Sequence, residues 1–99
     1  MRVFTEAVQF KADQKLLDFI QERIMKLEQF YDQIINAKVV LKLENSGRVR
    51  EKIVEVIINV PGDQLFSKSV DKTFEAATDH AAQALERQIK KFKSKNAYH

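Results

Sequence analysis

The segment that decides the fold spans residues 71–95 and reads DKTFEAATDHAAQALERQIKKFKSK. Apolar residues recur in it at steps of three and four, which predicts one long amphipathic helix from Asp71 to Lys95. The side chains predicted to face the core are Phe74, Ala77, Ala81, Leu85, Ile89 and Phe92. Such a stripe must be buried against a second layer, so the chain before residue 71 is expected to supply that layer.

Three segments before this helix alternate apolar and polar residues, a pattern typical of strands with one buried face. They are residues 34–44, 52–60 and 65–70, of which the last is the shortest. Residues 45–47 and 61–63 are turn sequences, Asn-Ser-Gly and Pro-Gly-Asp. The sequence therefore predicts a three-stranded meander that leads into the long helix.

The predicted meander has a second face, which points away from the core. Its residues are Lys38, Val40, Lys42, Ile53, Glu55 and Ile57. This face is a candidate contact for a protein, although its apolar content is within what ordinary surfaces show.

The first third of the chain predicts one more strand and one more helix. Residues 2–9 alternate, and residues 14–31 carry a second apolar stripe at helical spacing. Tyr31 is expected to close this helix against the sheet. Asp13 and Asp71 are the predicted N-caps or first-turn acids of the two helices. The order β-α-β-β-β-α indicates an α+β fold, a two-layer sandwich with both helices on one face of a four-stranded sheet. Residues 1–95 are expected to form one domain and residues 96–99 a frayed tail.

The composition limits the classes of function. The chain has 99 residues, 44% of them hydrophobic, and no cysteine, which favours a single modest core without disulfides or thiolate metal sites. No segment approaches the ~20 apolar residues of a membrane span. With two histidines, no glycine-rich phosphate loop and no readable pair of carboxylates, neither an enzyme nor a cofactor or metal site is expected. A cytoplasmic location fits these features.

The charge is concentrated at one end of the sequence. The net charge is +3, residues 87–99 carry +5 without an acid, and the first 86 residues therefore sum to −2. A basic helix end is typical of a surface for a polyanion. Cations at a helix C-terminus also complement the helix dipole, which gives a reason for two or three of the five cations in residues 87–95. Lys15, Arg23 and Lys26 form a second basic stripe on the first helix.

Four blocks of sequence carry a family resemblance. They are Lys26-Leu27-Glu28-Gln29-Phe30-Tyr31-Asp32, Val39-Val40-Leu41-Lys42-Leu43-Glu44, the pattern DxxFxAAxD at residues 71–79, and the pattern LxRQIxKxKxK at residues 85–95. In this order and spacing the chain resembles the ribosome hibernation promoting factor family. That family includes the ribosome-associated inhibitor, or protein Y, and carries the older label of sigma-54 modulation protein.

The resemblance implies a fold similar to a double-stranded-RNA-binding domain with an added first strand. It also implies a protein that binds the small ribosomal subunit and its ribosomal RNA in stationary or starved cells. Such a protein occludes the channel of the messenger and of the A- and P-site transfer RNAs, and it needs neither a small-molecule substrate nor a membrane. The length matches the short form of the family. The free protein is expected to be a monomer, although the sequence does not fix the oligomeric state.

The resemblance also nominates RNA-binding residues. By motif match they are Lys26, Arg87, Lys91, Lys93 and Lys95. Arg23, Lys90 and Lys15 are nominated by their place on the predicted helix faces only. For each of them the alternative is a solvated surface cation, and Phe74 and Phe92 are expected to pack in the core and not to stack on bases.

Three other functions compete with ribosome binding. A module for some other structured RNA would use the same cations, because a fold does not determine its target. A protein-interaction domain that modulates transcription would bind its partner independently of salt. An enzyme would need a catalytic site that the sequence does not offer.

Overall fold

The computed structural model describes residues 1–47 and 49–96, and it has the predicted order of elements. Two helices, one 3₁₀ helix and four strands follow one another along the chain. They are β1 (Arg2–Ala7), α1 (Gln14–Met25), the 3₁₀ helix (Lys26–Gln29), β2 (Asn36–Ser46), β3 (Val49–Val60), β4 (Asp63–Asp71) and α2 (Phe74–Asn96). The predicted α+β class is confirmed.

The four strands form one sheet in the order β1-β2-β3-β4. β1 pairs with β2 in parallel, while β2–β3 and β3–β4 are antiparallel. A parallel pair needs a crossover connection, and α1 supplies it. Thr5, Val39, Val56 and Ser67 lie side by side in the register and form one inward-facing row across all four strands.

The core lies between this sheet and the two helices. Both helices contribute fully buried side chains to it, Ile20 and Ile24 from α1 and Leu85 and Ile89 from α2. Full burial of such a side chain contributes about 1.5–3 kcal/mol to folding. Phe74 is buried and stacks on Phe10 with the ring centroids 5.2 Å apart, which agrees with its predicted place in the core.

The first helix is shorter than its sequence pattern predicted. The α-helix ends at Met25, and the chain tightens into the 3₁₀ helix, as helix ends commonly do. Leu27 is still fully buried, so the apolar stripe continues through the change of geometry. Tyr31 is partly buried against the core, and its ring packs edge-on against Phe92 of α2, 5.6 Å between centroids. Its predicted contact with the sheet stays a prediction.

Of the two predicted N-caps, Asp13 is confirmed and Asp71 is wrong. Asp13 caps α1, since its Oδ1 accepts from the Leu16 amide at 2.8 Å. Asp71 does not cap α2, because it is the last residue of β4. The α2 start is capped by Thr73, whose Oγ1 accepts from the Ala76 amide at 3.0 Å. Both residue types favour caps, and strand pairing of Asp71 with Lys52 decides between them.

The hairpins are tighter than predicted. β2 and β3 pair as far as Ser46 and Val49, where the sequence predicted a turn at 45–47. β3 and β4 are joined by Pro61 and Gly62 alone, with Gly62 at a φ of 80° that favours glycine. α2 includes Asn96, the first residue of the predicted tail, and residues 97–99 lie outside the described part of the chain.

The outer face of the sheet, which points away from both helices, is more apolar than the sequence predicted. Phe4, Phe66 and Val70 lie on it and are each about half exposed. Ile53 is on the same face but only 4% exposed. The sequence did not reveal Phe66 because Leu65 and Phe66 are adjacent, and either could have faced the core.

Candidate nucleic-acid interface

Buried side chains of α2 fix the direction in which its cations point. Leu85 and Ile89 are fully buried, so the helix cannot rotate about its axis without exposing them. The cations of its last turns occupy the remaining faces, and all of them are exposed. They are Arg87, Lys90, Lys91, Lys93 and Lys95. The structure therefore presents five positive charges on one rigid, solvent-accessible segment.

One flank of these cations faces β4. Lys91 and Lys95 border a shallow depression of about 220 Å³ together with Asp63 and Leu65. Gln88 lines it as well, and its Nε2 donates to the backbone oxygen of Phe66 at 2.7 Å. This bond fixes the C-terminal half of α2 to the edge strand of the sheet.

The other flank faces the 3₁₀ helix. Lys90 and Lys93 border a depression of about 420 Å³ with Gln29 and Phe30. The Lys90 ammonium lies 4.9 Å from the centre of the Phe30 ring, a cation–π contact. Lys26 is the exposed first residue of the same 3₁₀ helix. We name these cations the basic helix surface, and it consists of Lys26, Arg87, Lys90, Lys91, Lys93 and Lys95.

Lys90 differs from the other members because it has an internal partner. Its Nζ lies 3.0 Å from Glu86 Oε2, one helical turn before it. Exposed pairs of this spacing contribute only about 0.3–0.5 kcal/mol, so the pair is easily given up to a competing anion. Within the described residues, no other cation of this surface has an ion pair.

Arg23 has a structural role that the sequence did not reveal. Its Nε donates to Asp79 Oδ1 at 2.9 Å and links α1 to α2. This pair also gives Asp79 a cation to orient, a role that the sequence suggested without identifying the partner. The guanidinium has further N–H donors, so the pair does not by itself prevent a contact with a phosphate.

Lys15 is separated from the basic helix surface. It lies in the first turn of α1. At a rise of 1.5 Å per residue, it is roughly 16 Å from Lys26 along the helix axis. Asp18 and Glu22 are exposed between them, so the predicted basic stripe on α1 is diluted by acids. Lys15 remains a prediction with weaker support than the cations of α2.

The described part of the chain offers neither a metal site nor a membrane-spanning helix. In the ranges 1–47 and 49–96, no three His, Cys, Asp or Glu side chains are grouped so that they could hold a metal ion. The two helices of this described part also lack an apolar run that would cross a lipid bilayer.

A two-layer α+β domain with exposed cations at one helix end is typical of proteins that bind nucleic acid. The chain belongs to the sigma 54 modulation protein / S30EA ribosomal protein family, whose model matches residues 3–97. It is 30% identical over 95 residues to a protein from Pseudomonas putida named ribosome hibernation promoting factor. That match covers 96% of this chain and 89% of the relative. The predicted family is thus confirmed, and it is a family of binding proteins and not of enzymes.

Two solved structures have the same fold as this chain. A ribosomal subunit interface protein from Coxiella burnetii superposes with a TM-score of 0.83 over 95% of this chain and 99% of its own. At 17% identity this likeness concerns the fold alone. The N-terminal domain of Thermus thermophilus Protein Y is 25% identical and has a TM-score of 0.74, covering 92% of this chain and 94% of that one.

Proposed function

We propose that this protein is a ribosome hibernation factor. It binds the small ribosomal subunit and blocks translation in stationary phase or stress, by occupying the channel of the messenger and of the A- and P-site transfer RNAs. Membership of the family and the names of the relatives support a ribosomal role. The observation that carries the RNA contact is the exposed, acid-free run of cations at the end of α2. Acting on ribosomes, the protein works in the cytoplasm.

Ribosomal RNA suits this surface for electrostatic reasons. Each phosphate neutralised by a cation releases condensed counterions, so the affinity falls steeply as the salt concentration rises. Folded RNA is recognised mostly through its shape and backbone. Because the helix backbone is already ordered, only the Lys and Arg side chains lose conformational entropy on binding such a target.

The members of the surface act in different ways. Arg87 can hold a phosphate through two parallel N–H bonds, whereas the lysines act as point charges. Lys91 and Lys95 contact the RNA phosphate backbone on the flank near β4. Lys93 and Lys26 contact it on the flank near the 3₁₀ helix. Lys90 contributes least, because Glu86 already neutralises part of its field. Arg23 and Lys15 lie outside this surface and contribute at its margin.

The block of translation is steric. Inhibition requires only that the bound domain occupy the volume of the messenger and transfer RNAs, and the domain measures 50 × 25 × 18 Å. No bond is made or broken. Transfer RNA and this protein are therefore expected to compete for the small subunit.

The experiment is co-sedimentation with purified ribosomal subunits across a salt series. The test variant is the double substitution Arg87→Glu, Lys91→Glu. The control is Lys11→Glu, Lys72→Glu, which makes the same change of charge at two exposed positions near the other end of α2. We expect the wild type and the control to bind the small subunit in a salt-dependent manner, and the test variant to lose binding.

Two results would contradict the proposal. Absence of binding at low salt would exclude a ribosomal partner. Equal affinity for the subunit and for an unrelated RNA duplex would favour a general structured-RNA module. If small-subunit binding is found, competition with transfer RNA tests the occlusion itself.

A further inference from the structure

The outer face of the sheet carries an aromatic row near one of its ends. Phe4, Lys38, Ile57 and Phe66 lie side by side in the register, one from each strand. The two phenylalanines are 52% and 51% exposed. Three strand spacings of about 4.8 Å place them roughly 14 Å apart. The two half-exposed phenyl rings lie at the ends of one row, with Lys38 and Ile57 between them.

The neighbouring row consists of amides and one cation. Its members, again one from each strand, are Arg2, Asn36, Asn59 and Gln64. Asn59 Nδ2 donates to Asn36 Oδ1 at 2.6 Å, and Gln64 Nε2 donates to Asn59 Oδ1 at 2.8 Å. We name the two rows together the aromatic sheet patch. The patch contains two cations and no acid.

Acids appear on the outer face only beyond the patch. Glu6 and Glu55 lie in the next row, and Glu44 pairs with Glu51 nearer the other end. Lys38 Nζ is 4.0 Å from Glu6 Oε2, but both side chains are more than half exposed and the pair is weak. The patch itself is therefore basic, and the acids of the outer face begin in the row beside it.

The patch and the basic helix surface lie at the same end of the molecule, on opposite sides of β4. Phe66 contributes its ring to the patch while its backbone oxygen accepts the bond from Gln88 of α2. Lys91 and Lys95 lie beside Asp63 and Leu65, at the start of the same strand. A strand of RNA held by these lysines reaches the patch by passing over one strand edge.

The chemistry of the patch fits unpaired nucleotides better than a second copy of the chain. A symmetric dimer with its two-fold axis through the patch would place Arg2 and Lys38 of both copies together, without an acid in the patch to offset them. An unpaired RNA segment supplies flat bases for the two rings and phosphates for the two cations. Aromatic rings and lysines on an open sheet are a common platform for single-stranded nucleic acid.

We propose that the aromatic sheet patch binds an unpaired RNA segment, with bases stacked on Phe66 and Phe4 and phosphates near Lys38 and Arg2. This inference rests on the proposed function, because it assigns a second contact with the same RNA partner. The basic helix surface then holds the phosphate backbone, and the patch holds unstacked bases that continue from it.

The test measures binding of a fluorescein-labelled 12-nucleotide oligoadenylate by fluorescence anisotropy at low salt. The variants are Phe66→Leu alone and together with Phe4→Leu, which keep an apolar side chain and remove the π face. Phe66→Tyr keeps the ring. The control is Val70→Ala, at a half-exposed apolar position of the same strand and face but outside the patch. A thermal melt of each variant confirms that it is folded.

Stacking of one base contributes enough for Phe66→Leu to weaken the affinity about fivefold or more, and for the double variant to weaken it further. Phe66→Tyr and Val70→Ala are expected to stay within twofold of the wild type. A folded double variant that binds the oligonucleotide within twofold of the wild type would overturn the inference. It would equally be overturned if Phe66→Leu abolished self-association in analytical ultracentrifugation and left oligonucleotide binding unchanged.

The subunit experiment separates this inference from the proposed function. If Arg87→Glu, Lys91→Glu loses the small subunit while the phenylalanine variants bind oligonucleotide normally, only the patch is refuted. If the wild type fails to bind subunits but binds the oligonucleotide in a manner that depends on Phe66, the patch is supported and the ribosomal function is refuted.

Discussion

The two ends of α2 use charge in different ways. Near its start, two polar pairs tie the helix to the rest of the molecule: Arg23 Nε donates to Asp79 Oδ1, and His80 Nδ1 lies 2.9 Å from Asp71 Oδ2. Near its end, among the described cations of residues 87–95, only Lys90 has an ion-pair partner. Polar side chains at the start of α2 are bonded within the molecule, whereas most of the cations at its end are free to bind a partner.

This difference shows how one helix can serve folding and binding together. Its buried residues run from Phe74 to Ile89, with Phe92 partly buried beyond them, so apolar contacts anchor both halves of the helix. Because the anchoring does not depend on the terminal cations, they can be placed for a partner. The predictions below test this separation, and they begin with the anchor that the two halves share.

The largest effect is expected from Leu85→Ala. Leu85 is fully buried in the middle of α2, and removal of such a side chain typically destabilises a protein by about 2–5 kcal/mol. Urea unfolding measures the loss, with Lys91→Ala as the control, for which a change within about 0.5 kcal/mol is expected. If Lys91→Ala destabilised the fold as much as Leu85→Ala, the two roles would not be separate.

A smaller effect is expected at the cap of α2. Thr73→Ala removes the acceptor of the Ala76 amide and should destabilise the protein by about 1 kcal/mol, while Thr73→Ser should restore most of the loss. For a domain of this size, 1 kcal/mol corresponds to roughly 4–8 °C in the melting temperature. An equal loss in Thr73→Ala and Thr73→Ser would show that the hydroxyl is not the cap.

Much of the fold was predictable because the spacing of apolar residues in the sequence indicates which face of each helix or strand is buried. The stripes of α1 and α2 and the alternation in β2 and β3 gave the right elements in the right order. The ends of elements were harder, because they depend on partners distant in sequence. Asp71 is a good cap by composition, but pairing with Lys52 across the sheet keeps it in β4.

The candidate site was predictable to a similar depth. The sequence identified the cations of α2, because the positions of Lys and Arg can be read without knowing how the chain packs. The predicted apolar stripe then indicated that these cations face outward. It did not reveal that Arg23 is bonded to Asp79, because those residues are far apart in the chain. Nor did it reveal the aromatic sheet patch, which depends on the register of four strands.

A modest effect is expected from breaking the pair between the helices. Asp79→Asn removes the charged partner of Arg23, and we expect destabilisation of about 0.5–1 kcal/mol, because both side chains are partly exposed. Binding to the small subunit should be unchanged or slightly tighter, because an acid has been removed. A double-mutant cycle with Arg23→Gln measures the coupling. A coupling energy of zero would mean that the pair between Arg23 and Asp79 does not stabilise the fold, and the two ends of α2 would then not differ in this respect.

The smallest effect concerns the salt dependence of binding, where Lys90 and Lys93 should differ. Lys93→Gln removes one phosphate contact and should reduce the slope of log affinity against log salt concentration by about 1. Lys90 already has Glu86 at 3.0 Å, so Lys90→Gln combined with Glu86→Gln removes a pair whose charges cancel. We expect this double variant to keep the slope of the wild type.

The slopes come from subunit co-sedimentation at four or more salt concentrations, with Lys11→Gln as the control for loss of a distant charge. If the Lys90 and Glu86 double variant lowered the slope by about 1, Lys90 would have to leave Glu86 and contact a phosphate in the complex. The pair would then be an arrangement of the free protein only. In that case all five cations at the end of α2 would be available for RNA, and the contrast with the partnered charges at its start would be complete.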